Sequence, residues 1–527
     1  MKETSREKLR STHRSLFRRV AWAMTHRLFF DILSILLQIA AVAAMVLVFS
    51  RYFVYVSVAC VLLTFTAVIW IMTSRSHPDY KIAWIVPILA LPVFGGLLFL
   101  FFGRGRVSRR ARARIRRMED IQRAALREAR PEKISVTDGS ALAQSRYLAQ
   151  TSLYPPHVHS ECAYYPLGEE LFAGMLEALE GAERYIFLQY FTIQEGEMWN
   201  AILEILERKA AEGLDVRVIY DDLGCLITLP KRYDRVLRRK GIACKVFNPF
   251  RPIATLRLNN RDHRKICVVD GRTAFTGGVN LSDEYINRME RFGHWKDSGI
   301  RVRGEAAWNL TVMFLSTWYE EEKDGEKEDL TRFRPTFSPE ELPPTDGLVQ
   351  PFMDTPLDDE EVSATVYRSL IARANRYVYI TTPYLIIDHA MTEALRAAAR
   401  AGVDVRLITP YIPDKRRIFE LTRAHYGPLV EAGVKIYEYL PGFIHSKTLV
   451  SDDRFGVVGT INLDYRSLYL HFECGVWMFD AGAVKDIRAD FLATEAVSRQ
   501  VCPEEITGLS WPRRLGRTLL RVFAPLL

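Results

Sequence analysis

The sequence GFIHSKTLVSDDRFGVVGTINLDYRSLYLHFE, at residues 442–473, contains the motif around which this chain is organised. It places His445, Lys447 and Asp452 in the spacing H-x-K-x-x-x-x-D, and Asn462 follows. Side chains two residues apart on a β-strand point to the same face, so the histidine and the lysine are expected side by side. An imidazole can attack or protonate a phosphate while a lysine neutralises its charge. The stretch therefore predicts a site that handles phosphate.

A second copy of the pattern lies upstream. His263, Lys265 and Asp270 repeat the spacing, and the interval from the histidine to the following asparagine, Asn280 or Asn462, is 17 residues in both copies. The flanking sequence repeats as well: RYIFLQYFTI from residue 184 returns as RYVYITTPYL from 376, and EGLDVRVIYDD from 212 returns as AGVDVRLITPY from 401. The chain is therefore predicted to contain a duplicated domain.

Runs rich in β-formers alternate with helical runs in the first copy. The predicted strands cover 185–190, 216–220 and 244–247, and the predicted helices cover 169–179, 198–211 and 233–239. Strands separated by helices imply crossover connections between parallel strands. We expect two α/β halves with mixed, largely parallel sheets, each ending in its own His-Lys-Asp element.

At 527 residues the chain is too long for a single core. We expect a basic N-terminal segment (1–27), a membrane region with two to three hydrophobic helices (28–102), a basic linker (103–150), a first half (151–333), a Pro-rich linker (334–350), a second half (351–500) and an amphipathic C-terminal tail (501–527).

The first hundred residues predict N-terminal transmembrane helices. Three apolar stretches, 28–50, 52–72 and 82–102, are each about 20 residues long, enough for a helix to cross the hydrocarbon core. Eight arginines between Arg104 and Arg117 favour the cytoplasmic side. The basic N-terminus favours that side too, so either it is translocated or the Pro- and Gly-broken third stretch enters without crossing. We expect a multi-pass protein of the cell membrane with its catalytic part in the cytoplasm.

Charge and cysteine content narrow the possible partners. The net charge of +8 fits an anionic partner, either phospholipid or nucleic acid. The seven cysteines are scattered without a C-x-x-C pair, which argues against a disulfide or zinc framework.

In the tail, Leu515, Leu519, Leu520 and Phe523 share one helical face. That face fits either a membrane-interface helix or a helix docked on the protein's own core.

The two motifs together contain the groups that phosphodiester chemistry needs. If the halves face each other, one imidazole can attack phosphorus to give a phosphohistidine while the other protonates the leaving alcohol. Lys265, Lys447, Asn280 and Asn462 are placed to hold the developing negative charge. No metal or cofactor is needed for this chemistry.

A carboxylate is expected to hold the second ring nitrogen of each histidine. Glu473 is the candidate for one histidine and Asp297 for the other. Asp270 and Asp452 fall an odd number of residues after their histidines, so a structural role is favoured over acid–base work.

The remaining polar candidates lack a supporting pattern. The pair Asp221-Asp222, near a strand end, is interpreted as a hydroxyl-binding or helix-capping pair, and a metal site is not expected. Four histidines are interpreted as incidental: His157, His159, His294 and His471.

These motifs resemble the phospholipase D superfamily, whose hallmark is two HxKxxxxD motifs. More narrowly, the chain is similar to bacterial cardiolipin synthases of the membrane-anchored type, and the similarity runs from about Tyr52 to the end. The matching segments are IAWIVPILALPVFGGLLFLFFGR (82–104), RDHRKICVVDGRTAFTGGVN (261–280), HWKD (294–297), GFIHSKTLVSDDRFGVVGTINLDYRS (442–467), HFE (471–473) and APLL (524–527). Two departures are an extra apolar stretch at 28–50 and His471 where the pattern leads us to expect asparagine.

The resemblance implies a metal-independent ping-pong transphosphatidylation through a phosphohistidine, in which two phosphatidylglycerol molecules give cardiolipin and glycerol. It implies membrane phospholipids as partners, no cofactor and no nucleic acid. The catalytic set that it implies is His263, Lys265, Asp270, His445, Lys447 and Asp452. We take His263 as the nucleophile, although the two motifs are nearly symmetric.

Three alternatives remain at this point. The same chemistry could use water or another alcohol such as serine as acceptor. A phosphodiesterase or nuclease could use the arginine block for nucleic acid, although the apolar stretches disfavour it. A non-catalytic membrane scaffold is disfavoured because both motifs are intact.

Overall fold

A computed structural model describes residues 27–48, 52–74, 77–91, 95–96, 99, 109–127, 136–249, 260–320, 329–344, 346–358 and 360–526. The chain divides into two compact units, Met1–Gly105 and Arg106–Leu527. Apart from Arg27, the predicted basic N-terminal segment lies outside the described residues, as do residues 103–108 of the predicted basic linker.

The first unit is helical where it is described. Its helices are α1 (Arg27–Val48), α2 (Phe53–Thr73) and α3 (Pro78–Ala90). The ring of Phe99 lies edge-on to Trp70 of α2 at 5.6 Å and to Trp84 of α3 at 5.4 Å, so aromatic contacts join these two helices. Among the described residues, no helix combines the length and apolar character that a bilayer crossing requires. The transmembrane helices expected within 28–102 therefore stay a prediction.

The second unit alternates strands and helices in two successive series. The first series is α4 (Arg109–Leu126), α5 (Gly139–Thr151), β1 (Ser160–Tyr165), α6 (Gly168–Glu180), β2 (Tyr185–Tyr190), α7 (Glu197–Ala211), β3 (Asp215–Asp221), α8 (Tyr233–Arg239), β4 (Ala243–Phe247), β5 (Ile266–Val269), β6 (Thr273–Gly277), β7 (His294–Lys296), β8 (Gly299–Gly304) and α9 (Ala307–Trp318).

The second series repeats this programme. It consists of β9 (Leu348–Asp354), α10 (Val362–Arg373), β10 (Tyr377–Thr381), β11 (Leu385–Ile386), α11 (His389–Arg400), β12 (Asp404–Pro410), α12 (Arg416–Ala424), α13 (Tyr426–Glu431), β13 (Lys435–Tyr439), β14 (Gly442–Ile444), β15 (Thr448–Ser451), β16 (Phe455–Gly459), β17 (Leu463–Asp464), α14 (Tyr465–Tyr469), β18 (Glu473–Phe479), α15 (Ala483–Ala496), β19 (Ser498–Gln500), α16 (Pro503–Thr507) and α17 (Trp511–Phe523). Short 3-10 turns cover Asp283–Ile286, Leu330–Phe333 and Ala524–Leu526.

Each series builds one large sheet. The strand orders are β1-β8-β6-β5-β2-β3-β4 and β19-β13-β12-β10-β15-β16-β18-β9. This confirms the duplicated α/β fold with mixed sheets. Within the described strands of these two sheets, only β2-β3-β4 and β10-β12-β13 run parallel. The expectation of largely parallel sheets was wrong, because each half continues after its third crossover strand as antiparallel hairpins, which need no crossover helix.

The two sheets share an inner hydrophobic core. Side chains of both sheets form one cluster that includes Phe187 and Val268 from the first and Val458 and Val476 from the second. Helix α9, whose residues are all buried, belongs to the same cluster. Separate clusters cover the outer faces beneath α6–α8 and beneath α10, α11 and α13. Because full burial of a large apolar side chain contributes about 1.5–3 kcal/mol, each half depends on the other for stability.

Two aspartates close the hairpins that follow the motifs. Asp270 and Asp452 have φ of 55° and 56°, in the left-handed region that Asp and Asn tolerate. The carboxylate of Asp270 accepts hydrogen bonds from the backbone N–H groups of residues 183–185. That of Asp452 accepts from the N–H groups of residues 375–377. Each carboxylate therefore fixes the start of the neighbouring strand, β2 or β10.

The C-terminal helix α17 packs on the second half with one side. Leu520 packs against a small apolar cluster that includes Leu421 of α12, and the Arg517 guanidinium lies 2.9 Å from Glu420. Trp511 remains 75% exposed, and Leu515 and Leu519 are about half exposed. The helix thus docks on the protein's own core, as one of the two alternatives expected, while part of its apolar face stays open.

We expect Asp452→Asn to lower the free energy of unfolding by about 2 kcal/mol. The carboxamide keeps the left-handed backbone but replaces one of the two accepting oxygens with an NH₂ group that faces backbone donors. Differential scanning fluorimetry of the purified full chain should show this loss as a lower melting temperature. Asp270→Asn should behave alike, while Glu340→Gln, at an exposed carboxylate, should change nothing. Aspartate variants as stable as the wild type would contradict the role assigned to these hydrogen bonds.

Candidate active site

The two motif histidines lie where the halves meet. His263 lies in the extended segment before β5, and its backbone N–H donates to the carbonyl of Phe472 in the second half (3.0 Å). His445 lies between β14 and β15, and its N–H donates to the carbonyl of Lys296 in the first half (2.7 Å). Strands β7 and β14, one from each half, pair in parallel immediately before His445. Backbone hydrogen bonds therefore join each motif to the opposite half.

Each imidazole is held by a carboxylate from the opposite half. The Nδ1 atom of His263 lies 2.9 and 3.0 Å from the two carboxylate oxygens of Glu473. The Nδ1 atom of His445 lies 2.6 Å from Oδ2 of Asp297. The structure thus brings together both carboxylates named from the sequence and assigns each to its histidine. Because Nδ1 is occupied on both rings, Nε2 is the nitrogen left for chemistry.

The residue fifteen positions after each motif histidine differs between the two halves, and in each half it fits the carboxylate that lies against it. In the first half this residue is Gly278, and any Cβ there would overlap the carboxylate of Asp297. In the second half it is Thr460, whose hydroxyl donates to the carboxylate of Glu473. A glycine therefore makes room for the carboxylate in one copy, while a threonine hydrogen-bonds to it in the other.

The motif lysines are buried beside their histidines. The Nζ atom of Lys265 donates to the carbonyl of His263 at 2.6 Å, and Lys447 donates to the carbonyl of His445. Burial lowers the pKa of Lys265 to about 8 and that of Lys447 to about 7. The carboxylates Glu473 and Asp297 raise the pKa of both lysines and so oppose the effect of burial. The charges of the two halves therefore form one electrostatic cluster.

Burial also shifts the other titratable groups toward their neutral forms. It lowers the pKa of His263 and of His445 well below the ordinary value, and the neighbouring lysine charges add to this effect. It raises the pKa of Asp297 to about 7 and that of Glu473 to about 8. An anionic phosphate bound among these groups would favour the protonated lysines and imidazoles, so ligand binding and proton uptake are coupled.

Aromatic side chains form the walls around both imidazoles. Three ring centroids lie near that of His445: Tyr285 at 5.5 Å, Trp295 at 5.6 Å and Phe443 at 5.9 Å. The ring of Phe191 lies 5.2 Å from that of His263. These walls lower the local dielectric and thereby strengthen electrostatic contacts to a bound phosphate.

The motif asparagines differ from each other. Oδ1 of Asn280 accepts from the backbone N–H of Thr192, and its Nδ2 donates to the Tyr285 hydroxyl. Oδ1 of Asn462 is buried and has no hydrogen-bond partner among the described residues. The role of these two amides in holding negative charge stays a prediction.

The motif aspartates lie outside the cluster of imidazoles and lysines. Asp270 and Asp452 follow the far ends of β5 and β15, where their carboxylates accept from backbone amides. These hydrogen bonds are the structural role that the odd spacing from each histidine favours, and the place of both aspartates in the catalytic set implied by the resemblance stays a prediction. Asp221 serves the backbone as well, since its carboxylate accepts from the N–H groups of Leu223, Gly224 and Asp262.

One site residue was missed. His471, interpreted as incidental from the sequence, has its ring 5.6 Å from that of His263 and its Nδ1 atom 3.8 Å from Glu473. That interpretation was wrong. The available signal was its position two residues before Glu473, which places both side chains on one side of an extended chain.

His263, His471 and Glu473 also lie close enough to share an ion, with one ligand atom of each within 4.8 Å of the others. The donor set of two imidazoles and a carboxylate suits zinc. The charge of Lys265, which acts on both His263 and His471, works against a dication at this position. The expectation of a metal-independent reaction stays a prediction.

Comparison with known proteins shows the family. The family described as "Cardiolipin synthase, PLD-like domain" matches residues 175–293 and 367–494, and a "Phospholipase_D-nuclease N-terminal" family matches 61–104. A cardiolipin synthase of Alkalihalophilus pseudofirmus is 34% identical over 87% of this chain and 91% of its own. One of Geobacillus kaustophilus is 32% identical over 87% and 91%. An uncharacterised protein of Streptococcus mutans is 40% identical over 88% and 99%.

A solved structure shares the fold. The phosphatidylserine synthase of Haemophilus influenzae superposes with a TM-score of 0.55 at 15% identity, covering 73% of this chain and all of its own. At that identity the likeness speaks for the fold alone. Taken with the relatives at 32–34% identity, these matches show that the chain belongs to the cardiolipin synthase family of phosphatidyltransferases, in which two phospholipase D-like halves are fused in one chain.

Proposed function

We propose that the protein joins two phosphatidylglycerol molecules into cardiolipin and glycerol, with His263 and His445 as the reacting groups. The observation that carries this proposal is the reciprocal pairing of each buried imidazole with a carboxylate of the other half. It leaves two Nε2 atoms for one phosphate, which is what a two-step transfer through a covalent intermediate requires.

In the first step, Nε2 of His263 attacks the phosphorus of one phosphatidylglycerol. The bond from phosphorus to the glycerol head group breaks, and protonated His445 gives its Nε2 proton to the leaving oxygen. Asp297 accepts a hydrogen bond from Nδ1 of that imidazolium and stabilises its charge. Burial raises the pKa of Asp297 to about 7, close to neutral pH. Glycerol and a phosphatidyl group bonded to His263 are the products of this step.

In the second step, a head-group hydroxyl of another phosphatidylglycerol attacks the same phosphorus. His445 takes the hydroxyl proton, the bond from phosphorus to His263 breaks, and cardiolipin forms as both histidines return to their starting states. Lys265 and Lys447 hold the non-bridging oxygens throughout. Water or a different alcohol could replace the second lipid chemically, so the products identify the acceptor.

We also propose that residues 28–102 anchor the chain in the cell membrane in several passes, with the second unit on the cytoplasmic side. The support is the apolar composition of that region, the eight arginines between Arg104 and Arg117, and the exposed Trp511, Leu515 and Leu519 on the arginine-rich helix α17.

His263→Ala should reduce cardiolipin formation by roughly 10³-fold, because the nucleophile is removed while the fold is retained. Mass spectrometry of lipid products from the purified full chain in phosphatidylglycerol vesicles measures this. His389→Ala, at an exposed histidine, is the matched control and should be fully active. Normal synthesis by His263→Ala would refute the assignment, and phosphatidic acid as the main wild-type product would identify water as the acceptor.

Lys447→Arg should shift the alkaline limb of kcat/KM to higher pH. Lys447 is charged below its pKa of about 7 and loses its charge as pH rises through that value, whereas arginine stays protonated. The limb is expected to move toward pH 8, where Lys265 titrates. Measurements of kcat/KM between about pH 6 and pH 10 test this, and Lys485→Arg, at an exposed lysine, is the control. An unchanged limb would exclude Lys447 as the titrating phosphate ligand.

The single exposed cysteine reports on topology. Cys502 is exposed, Cys60 is partly buried and the other five cysteines are buried. A membrane-impermeant maleimide should label Cys502 in inverted membrane vesicles and not in intact cells, because the proposed site faces the cytoplasm. Cys502→Ser should abolish the labelling. Equal labelling of intact cells would contradict the proposed orientation.

A further inference from the structure

His471 is a partly buried residue whose two ring nitrogens are enclosed by the protein. Its side chain is 11% exposed, and neither ring nitrogen has a hydrogen-bond partner among the described residues. The closest carboxylate oxygen, on Glu473, lies 3.8 Å from Nδ1, beyond hydrogen-bond distance. Buried polar groups are nearly always hydrogen-bonded, so two such nitrogens on one ring need a partner that the described residues do not supply, either substrate or solvent.

The backbone holds this ring in place. The N–H of His471 donates to the carbonyl of Arg466 at 2.8 Å, and the next residue, Phe472, exchanges backbone hydrogen bonds with Arg261 and His263. The ring centroid lies 5.6 Å from that of His263, with the planes tilted by 42°. Since Glu473 occupies Nδ1 of His263, Nε2 is the nitrogen of that ring left for phosphorus.

The surrounding charges select an anion. Burial lowers the pKa of His471 well below the ordinary value, and His263, Arg466, Lys265 and Arg261 act in the same direction. The ring is therefore neutral and offers one N–H donor and one acceptor nitrogen. A neutral donor inside a positive field suits a phosphoryl oxygen and costs no further charge burial.

We propose that His471 donates an N–H hydrogen bond to a non-bridging phosphoryl oxygen of the phosphatidyl group while that group is transferred to and from His263. This inference rests on the proposed function. It adds a third imidazole to the site, one that forms no bond to phosphorus and exchanges no proton with substrate. Such a donor acts where negative charge develops, so its removal lowers kcat more than it changes KM.

The test compares His471→Phe, which keeps a ring without a donor, with His471→Asn, which restores an N–H group. In phosphatidylglycerol vesicles the full-length His471→Phe variant should lose roughly 10- to 100-fold in kcat with KM within about threefold of the wild type. His471→Asn should recover most of the rate. The rate at which the phosphohistidine forms, measured by alkaline quench with ³²P-labelled lipid, should fall in step with kcat.

Several outcomes would overturn the inference. One is a wild-type kcat in His471→Phe; another is an equal loss in both variants with unchanged melting temperature, which would make His471 a packing residue. A wild-type enzyme that loses activity in chelator and regains it with Zn²⁺ would make His471 a metal ligand instead. Lipid products of the wild type are measured in parallel, so a missing cardiolipin signal reports on the proposed function, whereas the ratio between variants reports on His471.

Discussion

The hydrogen bonds from His263 to Glu473 and from His445 to Asp297 make the two halves interdependent. Each half contributes one imidazole and the carboxylate that orients the imidazole of the other half. Removing either half would leave a histidine without its orienting carboxylate and a buried carboxylate without its imidazole. The duplication therefore yields one site, and the reacting geometry is set by how the two sheets pack rather than by either sheet alone.

The packing that holds this geometry is mostly remote from the chemistry. The inner core contains side chains of both sheets together with the fully buried helix α9, so relative movement of the halves would open a continuous apolar interface. The parallel pairing of β7 with β14 joins the two halves directly before Asp297 and His445. It therefore helps to hold this carboxylate and its histidine in place. The motif aspartates act locally within this frame by fixing β2 and β10 against the hairpins.

Much of the site could be predicted because its parts are encoded locally. Matched spacing identified both His-Lys pairs, and the need of an imidazole for a carboxylate identified Glu473 and Asp297. Which carboxylate serves which histidine depends on contacts 210 and 148 residues apart, and no local pattern encodes that distance.

Two expectations failed for physical reasons. Helical crossovers dominate the sequence pattern up to β4 and favour largely parallel sheets. The turns at Asp270 and Asp452, whose positive φ closes antiparallel hairpins, then reverse the direction of the chain. His471 stands outside the repeated motif, and its place beside His263 depends on how the two halves pack together. The transmembrane region remains an expectation from composition.

The unlike residues at Gly278 and Thr460 limit how the two copies can exchange sequence. One position is shaped around an aspartate and the other around a glutamate, so each forms a unit with its own carboxylate. A recombination event that converted one copy to the other at this position alone would place a threonine against Asp297 or deprive Glu473 of a hydrogen-bond donor. The two copies are therefore not interchangeable at this position, and an internally symmetric chain would lose the fit to one of the two carboxylates.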